Sequence, residues 1–338
     1  MAKRVGTATL LLENTPSVEA FGAIGSKREA EGPLGGFFDQ LCNDSTMGEQ
    51  TWEKAECRLQ KDAINVALKK ANLSPPDLQY IFAGDLLNQC TSSTYGLRDL
   101  GVPFVGLYGA CSTMAESLSL ASLFIEGGFG EHTAAITSSH FCAAERQFRF
   151  PLEYGGQRTP TSQWTVTGAG AAIVGKASAP PYVRAVTMGA IKDMGITDAN
   201  NMGAAMAPAA ADTIGRFFQD TGMAPDRFDM IATGDLGMVG SALLLELLER
   251  DGWKLQGRHA DCGLLIYDRQ KQQVEAGGSG CGCSAAVLCA YILPAIRRGD
   301  LSNVLFVATG ALMSTTSVQQ GESIPGIAHL LWLSSSPK

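Results

Sequence analysis

The chain has 338 residues, 45% of them hydrophobic and 17% charged, with a formal net charge of −7. So much apolar sequence can bury two sizeable cores or one large duplicated one, which excludes a disordered chain. The acidic balance, with Lys3-Arg4 and Arg297-Arg298 as the short basic groupings, speaks against nonspecific nucleic-acid binding and against a polybasic membrane anchor.

From the N-terminus, the apolar run within Met1 to Leu12 is closed by Glu13 and Asn14, too short for a secretory signal. No apolar stretch nears the roughly 18 residues that cross a bilayer, so synthesis in the cytoplasm without a signal peptide is expected. Nine cysteines without framework spacing fit free thiols in a reducing compartment. Trp52, Ala55, Leu59, Ala63, Val66, Ala67 and Lys70 recur at helical spacing. Pro75 to Leu86 then reads as a Pro-containing turn and a short apolar strand with Gly84-Asp85 at its carboxyl end. The same pattern returns 150 residues later in Pro225 to Leu236, after a shorter apolar helix over Ala211 to Asp220.

Between these copies, a strand-like Phe104 to Tyr108 leads through Gly109-Ala110-Cys111-Ser112-Thr113-Met114 into a helical Ala115 to Glu126. Cys111 therefore sits at a strand-to-helix turn, where unpaired helix N–H groups favour the thiolate; an inert core thiol is the local alternative. Ala134 to Ser139 reads as a strand ending at His140, and His132 as its surface start. The Gly168-Ala169-Gly170 run lacks a third glycine and enters a strand rather than a helix, which excludes a dinucleotide fingerprint. Lys176 to Pro181 reads as a linker. A second correspondence, at offset 172, sets Cys111-Ser112 on Cys283-Ser284 and Thr137 on Thr309. Together the offsets argue for a duplicated α/β unit with halves 1–178 and 179–338. His259 is placed ahead of a strand and His329 near the C-terminus. The spacing of His259, Cys262, Cys281 and Cys283 matches no common zinc finger.

A duplicated α/β chain with an Ala-Cys-Ser elbow and the Gly-rich Thr167 to Val174 turn resembles the thiolase fold. The resemblance implies mainly parallel mixed sheets in an α/β/α/β/α layering. Narrower likeness is carried by Glu31-Gly32-Pro33-Leu34-Gly35, Ala83 to Gln89, Gly109 to Thr113, Thr137 to His140 and Ala144 to Arg149. It continues in Glu153 to Gln157, Met206 to Thr213, His259 to Tyr267 and Ala276 to Cys281. These segments, spread over nearly the whole chain, resemble the stage V sporulation protein AD family. That resemblance implies a role in endospore formation: binding dipicolinic acid (pyridine-2,6-dicarboxylic acid), with or without calcium, and its uptake into the spore. It also implies a peripheral place at the spore inner membrane beside membrane-spanning stage V sporulation protein A partners, and, from the fold, a two-fold homodimer. No resident cofactor is implied.

Condensation on this fold needs a thiol plus one or two groups, usually His or His with Asn, to move a proton and hold an oxyanion. Where condensing enzymes carry one His, this chain reads Thr233-Gly234-Asp235-Leu236. Where a thiolase has Gly-His-Pro, Ser279 falls. The sequence thus favours a noncatalytic binder; an acyltransferase using Cys111, with His140 near it, is the alternative, and a scaffold with a vestigial cleft the third.

A pocket on such a sheet lies at the carboxyl ends of the strands, which gathers Asp85, Asn88, Cys111, Ser138, Ser139, His140, Asp235 and Ser279. Arg146, Arg149 and Arg158 are the nearest cations for a dianion, and Gln147 a neutral donor. Phe148, Phe150 and Tyr154 form either an aromatic wall or core. Asp85 is either a cap or a ligand to calcium arriving with dipicolinate, and its recurrence as Asp235 favours the cap.

Overall fold

Two copies of one motif lie side by side in the computed structural model, which describes residues 2–148, 158–176, 179–255 and 257–338. The first half supplies strands β1 (Ser17–Ser26), β2 (Tyr80–Gly84), β3 (Phe104–Gly106), β4 (His132–Ser139) and β5 (Gly168–Gly175). The second supplies β6 (Tyr182–Thr187), β7 (Met230–Thr233), β8 (His259–Asp261), β9 (Asn303–Ala311) and β10 (Gly326–Ser334). Their spatial order, β8-β7-β9-β10-β6-β1-β5-β4-β2-β3, reads the same from either end when the halves are exchanged. β6 and β1 meet through a single pair, Tyr182 with Ser17, so the ten strands act as two five-stranded sheets. Pairing is parallel from β4 through β2 to β3 and from β9 through β7 to β8. It turns antiparallel where β5 and β10 enter.

Alternation along the strands divides the side chains between two faces. Helix α1 (Trp52–Ala71) covers the outer face of the first sheet, packing Leu59, Ile64 and Leu68 on Ile81, Ile136 and Ile173. Next along the chain come α2 (Thr91–Leu97), α3 (Thr113–Glu126) and α4 (Phe141–Phe148). Helices α5 (Met202–Thr221) and α6 (Gly237–Arg250) cover the second sheet, over Ile231, Leu305 and Leu330. Between the sheets lie α3 and α7 (Cys281–Val287), which runs on through Leu288–Ile292 into Leu293–Arg298. Met114, Leu118, Leu288 and Ile292 meet Phe82 and Ala135 from one sheet and Phe306 and Leu331 from the other. Fully burying each large side chain stabilises by roughly 1.5–3 kcal/mol, and this shared layer ties the halves together. Gly170 and Gly282 make the close approach feasible: an added Cβ would lie 2.3 Å from the Ala285 carbonyl or 2.4 Å from that of Gly168.

The repeat is longer than its sequence trace. α5 begins and ends 150 residues after α1, at 20 residues each, rather than covering only Ala211 to Asp220. Thr51 and Asn201 cap the two N-termini, and Asn72 and Gly222 close both C-termini with left-handed backbone. Pro208 masked the first turns, because a proline inside a helix reads as a break. The second offset needs correction. Tyr80 pairs with Thr133 and Met230 with Val304, so β4 and β9 correspond at 171 rather than 172, and both run past Thr137 and Thr309.

Two further expectations change. His259 opens the expected strand, β8, rather than preceding it, and after Asp261 the chain passes into the helix Cys262–Ile266, which Asp261 caps by accepting from the Leu264 N–H at 3.2 Å. Among the described residues one helix, Cys281–Arg298, is long and apolar enough to cross a membrane by length and composition, with 78% of it buried inside the fold. The connection between the halves runs from Gly175 to Tyr182, and its residues 177 and 178 fall outside the described ones. An N-terminal hairpin, Lys3–Val5 with Thr9–Leu11, joins the second half: Thr9–Leu11 pairs with β6. Asp220 at the end of α5 accepts from the N–H groups of Thr7, Ala8 and Thr9 at 2.8, 2.9 and 3.0 Å.

His329 on β10 is buried, with Nδ1 accepting from the Gly189 N–H at 3.2 Å. Burial holds its pKa down at about 4. A folded value below the unfolded one, ~6.5, means the unfolded chain takes up the proton first. Stability is therefore lost as pH falls from about 6.5 towards 4. His329→Asn should recover about 3 kcal/mol of that loss at pH 4, read from urea midpoints across the range; an unchanged acid loss would refute a buried neutral imidazole.

Candidate functional site

The elbow forms because Ala110 adopts a positive φ of 48° in the tight turn Ala110–Ser112, reversing the chain between β3 and α3. Thr113 Oγ1 donates to the Ala110 carbonyl at 2.6 Å and accepts from the Gly109 N–H at 3.0 Å, and Ser112 Oγ donates to the Gly109 carbonyl at 2.7 Å. From the second half, β9 abuts this turn. A Cβ on Gly310 would lie 2.3 Å from the Gly109 carbonyl oxygen.

Cys111 is 6% exposed, with Ser279 Oγ 4.0 Å from its Sγ. Ser279 Oγ donates to Asp235 Oδ2 at 3.1 Å, the Gly280 N–H donates to the same oxygen at 2.9 Å, and Thr309 Oγ1 donates to Oδ1 at 2.9 Å. Asp235 and Ser279 thus stand at the thiol, where the sequence placed the two substitutions for imidazole. Burial outweighs the donors and raises the Asp235 pKa to about 6. Burial, and then the Asp235 carboxyl, push the Cys111 thiol well up. The thiolate expected from the helix N-terminus is therefore not what this environment favours: one turn of N–H groups is outweighed by desolvation and a neighbouring carboxylate.

A cavity of about 120 Å³ opens in front of the thiol. Leu86, Tyr108, Phe148, Met202 and Met313 give it apolar and aromatic walls, while Asn88, Gln147, Ser279 and the Ser314-Thr315-Thr316 run bring neutral polar groups. Tyr108 is about half exposed, at 49%, so its phenol sits at the cavity mouth as a protonated donor at neutral pH. The Asn88 N–H donates to Gln147 Oε1 at 3.0 Å, joining two lining residues. Among the described residues no Lys, Arg, Asp or Glu lines this cavity. Its size is below the roughly 300–1,000 Å³ of pockets for drug-sized ligands, so it suits a single small ring.

Other expected site residues are placed elsewhere. His140 is buried with Nε2 on the Ser45 carbonyl at 2.8 Å and Nδ1 accepting from the Ala143 N–H at 3.4 Å. It borders a separate hollow with Ser45, Phe141 and Trp164, so its ring does not serve Cys111. His132 pairs with Glu19 and His259 with Thr233, which with His329 leaves no imidazole lining the thiol cavity. Asp85 is sealed: it accepts from Leu87 N–H, Ser93 N–H and Ser93 Oγ at 2.9, 2.8 and 2.6 Å. That arrangement is a cap closing the loop after β2, and it corrects the calcium-ligand alternative. Ser138 Oγ donates to Glu56 and Ser139 Oγ to the Val166 carbonyl, both behind the cavity.

Arg146 pairs with Glu53 and lies over Trp52, away from the thiol. Arg158 pairs with Glu145 at 2.6 Å and stacks on Trp164. Arg149, Phe150 and Tyr154 lie outside the described residues. Two lining elements were not anticipated from the sequence: Tyr108, two residues before the Ala110–Ser112 turn, and the Ser314 to Thr316 run. The latter was legible by the same rule that gathered the other strand ends, since it follows β9.

The profile of the stage V sporulation protein AD family matches residues 6–334. Stage V sporulation protein AD of Bacillus subtilis (strain 168) is 46% identical over 327 residues, spanning 97% of this chain and 96% of the relative. Among solved structures, 3-oxoacyl-[acyl-carrier-protein] synthase III of Aquifex aeolicus matches with a TM-score of 0.57 at 14% identity, over 94% of this chain and 99% of that one. Cerulenin-bound OleA of Xanthomonas campestris matches with a TM-score of 0.59 at 14% identity, over 95% and 98%. At that identity the enzymes share the fold and nothing finer. On this mixed-sheet condensing-enzyme fold, the chain belongs to the stage V sporulation protein AD family.

Proposed function

We propose that this chain binds dipicolinate in the cavity at Cys111 and delivers it during spore formation without performing acyl condensation. The observation that carries the reading is the substitution at the thiol: Asp235 and Ser279 flank Cys111, and all four histidines are engaged elsewhere. A buried thiol beside a carboxyl is a poor nucleophile, while the cavity retains what a flat aromatic dianion needs. Tyr108 and Phe148 can face the ring, and Asn88, Gln147 and the Ser314 to Thr316 hydroxyls can meet the carboxylates as neutral donors. Calcium would enter as the dipicolinate chelate, bound by the ligand's carboxylates and by neutral protein oxygens. In this reading the protein is a homodimer, peripheral at the spore inner membrane, and hands its ligand to membrane-spanning partners of the same set.

Isothermal titration with dipicolinate, with and without calcium, tests the reading. Saturable binding is expected, weakened at least about tenfold by Cys111→Trp, which fills the cavity, and by Phe148→Ala, which removes a ring contact on the order of 1 kcal/mol and more. Absence of heat at millimolar ligand, or affinity indifferent to Cys111→Trp, would sink it. An acyl adduct on Cys111 after incubation with acyl coenzyme A would instead support the condensing-enzyme reading.

A further inference from the structure

Behind the cavity, Glu56 and Gln60 stand one turn apart on α1, where i and i+4 side chains are neighbours, and Ser138 of β4 lies between them. Ser138 Oγ donates to Glu56 Oε1 at 2.9 Å and accepts from Gln60 Nε2 at 2.9 Å. The same amide donates to Ser93 Oγ at 2.9 Å, and Ser93 Oγ donates to Asp85 Oδ2 at 2.6 Å. Protons in this buried chain therefore run outward from one amide to two carboxyl groups. The Asp85 end is saturated by further N–H donors from Leu87 and Ser93. The Glu56 end is not: Glu56 Oε2 and Gln60 Oε1 are both buried acceptors without a hydrogen-bond partner.

Titratable and charged neighbours of Glu56 are Glu53 and Cys57 on α1, Asp85 in the loop after β2, His140 at the end of β4 and Cys281 on α7. His140 turns its ring nitrogens to Ser45 and Ala143, and only its backbone N–H faces Glu56. No lysine or arginine is among the groups that shift Glu56. Burial and then the Asp85 carboxylate push the Glu56 carboxyl well up. One added proton would satisfy both orphan oxygens.

We propose that Glu56 is a positioning residue that keeps its proton at neutral pH and donates it from Oε2 to Gln60 Oε1. Gln60 is thereby fixed, and its amide holds Ser93 and Asp85 beneath the loop that carries Leu86 and Asn88 into the cavity wall. That loop needs holding, since Gln89 and Cys90 are consecutive non-glycine residues at φ 60° and 53°. The link to ligand binding rests on the cavity being the dipicolinate site; the protonation itself does not.

Infrared difference spectra of the full chain at pH 7 should show a protonated-carboxyl band that Glu56→Gln removes. Between pH 5 and 8 the folded-to-unfolded ratio of the parent should fall about tenfold per pH unit relative to Glu56→Gln, because the unfolded chain alone releases that proton. Glu56→Gln should keep the Cys111 alkylation rate and dipicolinate affinity within about threefold, since its amide replaces the acid as donor. Glu56→Leu, folded by circular dichroism, should change both at least about tenfold. A missing band with a pH-independent difference would overturn the protonation, and an unaltered cavity in Glu56→Leu would overturn the positioning role. If dipicolinate binds none of these proteins, the ligand reading fails while the band and the Cys111 labelling still decide this proposal.

Discussion

Asp261→Ala is expected to destabilise the fold by about 4 kcal/mol or more, the largest loss from a single polar side chain described above. Asp261 Oδ2 accepts from Thr233 Oγ1 at 2.7 Å and the Leu236 N–H at 2.8 Å, and Oδ1 accepts from the Gly237 and Leu264 N–H groups at 3.0 and 3.2 Å. It is 2% exposed, so alanine strands three backbone N–H donors away from water at about 1–3 kcal/mol each, partly relieved by relaxation, while the Thr233 hydroxyl keeps His259 and the Ala260 carbonyl as partners. Against a total stability of about 5–15 kcal/mol the effect is severe. Equilibrium urea unfolding measures it, with Asp261→Asn expected to lie between alanine and the parent because the amide keeps one acceptor and misplaces a donor. A loss under about 1 kcal/mol for alanine would mean that water reaches this cluster.

Asp235→Asn should act on reactivity instead. Removing the carboxylate beside Cys111 deletes the second-largest influence holding the thiol up, so alkylation at pH 8 is expected to accelerate about tenfold. Burial persists in the variant, which keeps the thiol short of a free cysteine. The substitution should also flatten a pH dependence: with a folded pKa of about 6 above the unfolded value of ~3.9, Asp235 favours the folded state most below about pH 4 and loses that contribution as pH rises to 6. Above pH 6 its ionisation costs about 3 kcal/mol relative to a neutral side chain. Mass spectrometry of the Cys111 peptide follows the rate, and an unchanged rate would show that the thiol does not sense that charge.

The duplication, the elbow and the placing of Asp235 and Ser279 at the thiol were legible in the sequence because each is written in local pattern. The three-dimensional reason that one of two identical Gly-Asp-Leu triplets reaches the thiol and the other does not was not. Asp85 folds back on its own loop through Ser93, whereas Asp235 reaches Gly280 and Thr309 from other segments and so comes to the thiol; the packing of one half on the other decides this, and no short window contains it. His140 illustrates the same limit. It ends the right strand, yet a one-residue change of direction aims its ring at Ser45 rather than across the sheet edge. Arg146 was drawn away by Glu53 and Trp52, partners from α1 that lie far off in sequence.

The N-terminal hairpin places a kinetic demand on the chain. Thr9–Leu11 is synthesised well before its partner strand, which contains Ala185 to Thr187, and before Asp220, the carboxylate that fastens Thr7 to Thr9. Closing so long a loop is a slow, non-local event, and the helix layer between the sheets is itself completed only by α7. Until then the inner face of the first sheet is an unfinished apolar surface on a nascent polypeptide. The order of synthesis thus runs against the order of assembly, and this protein should depend on chaperone protection through most of its translation.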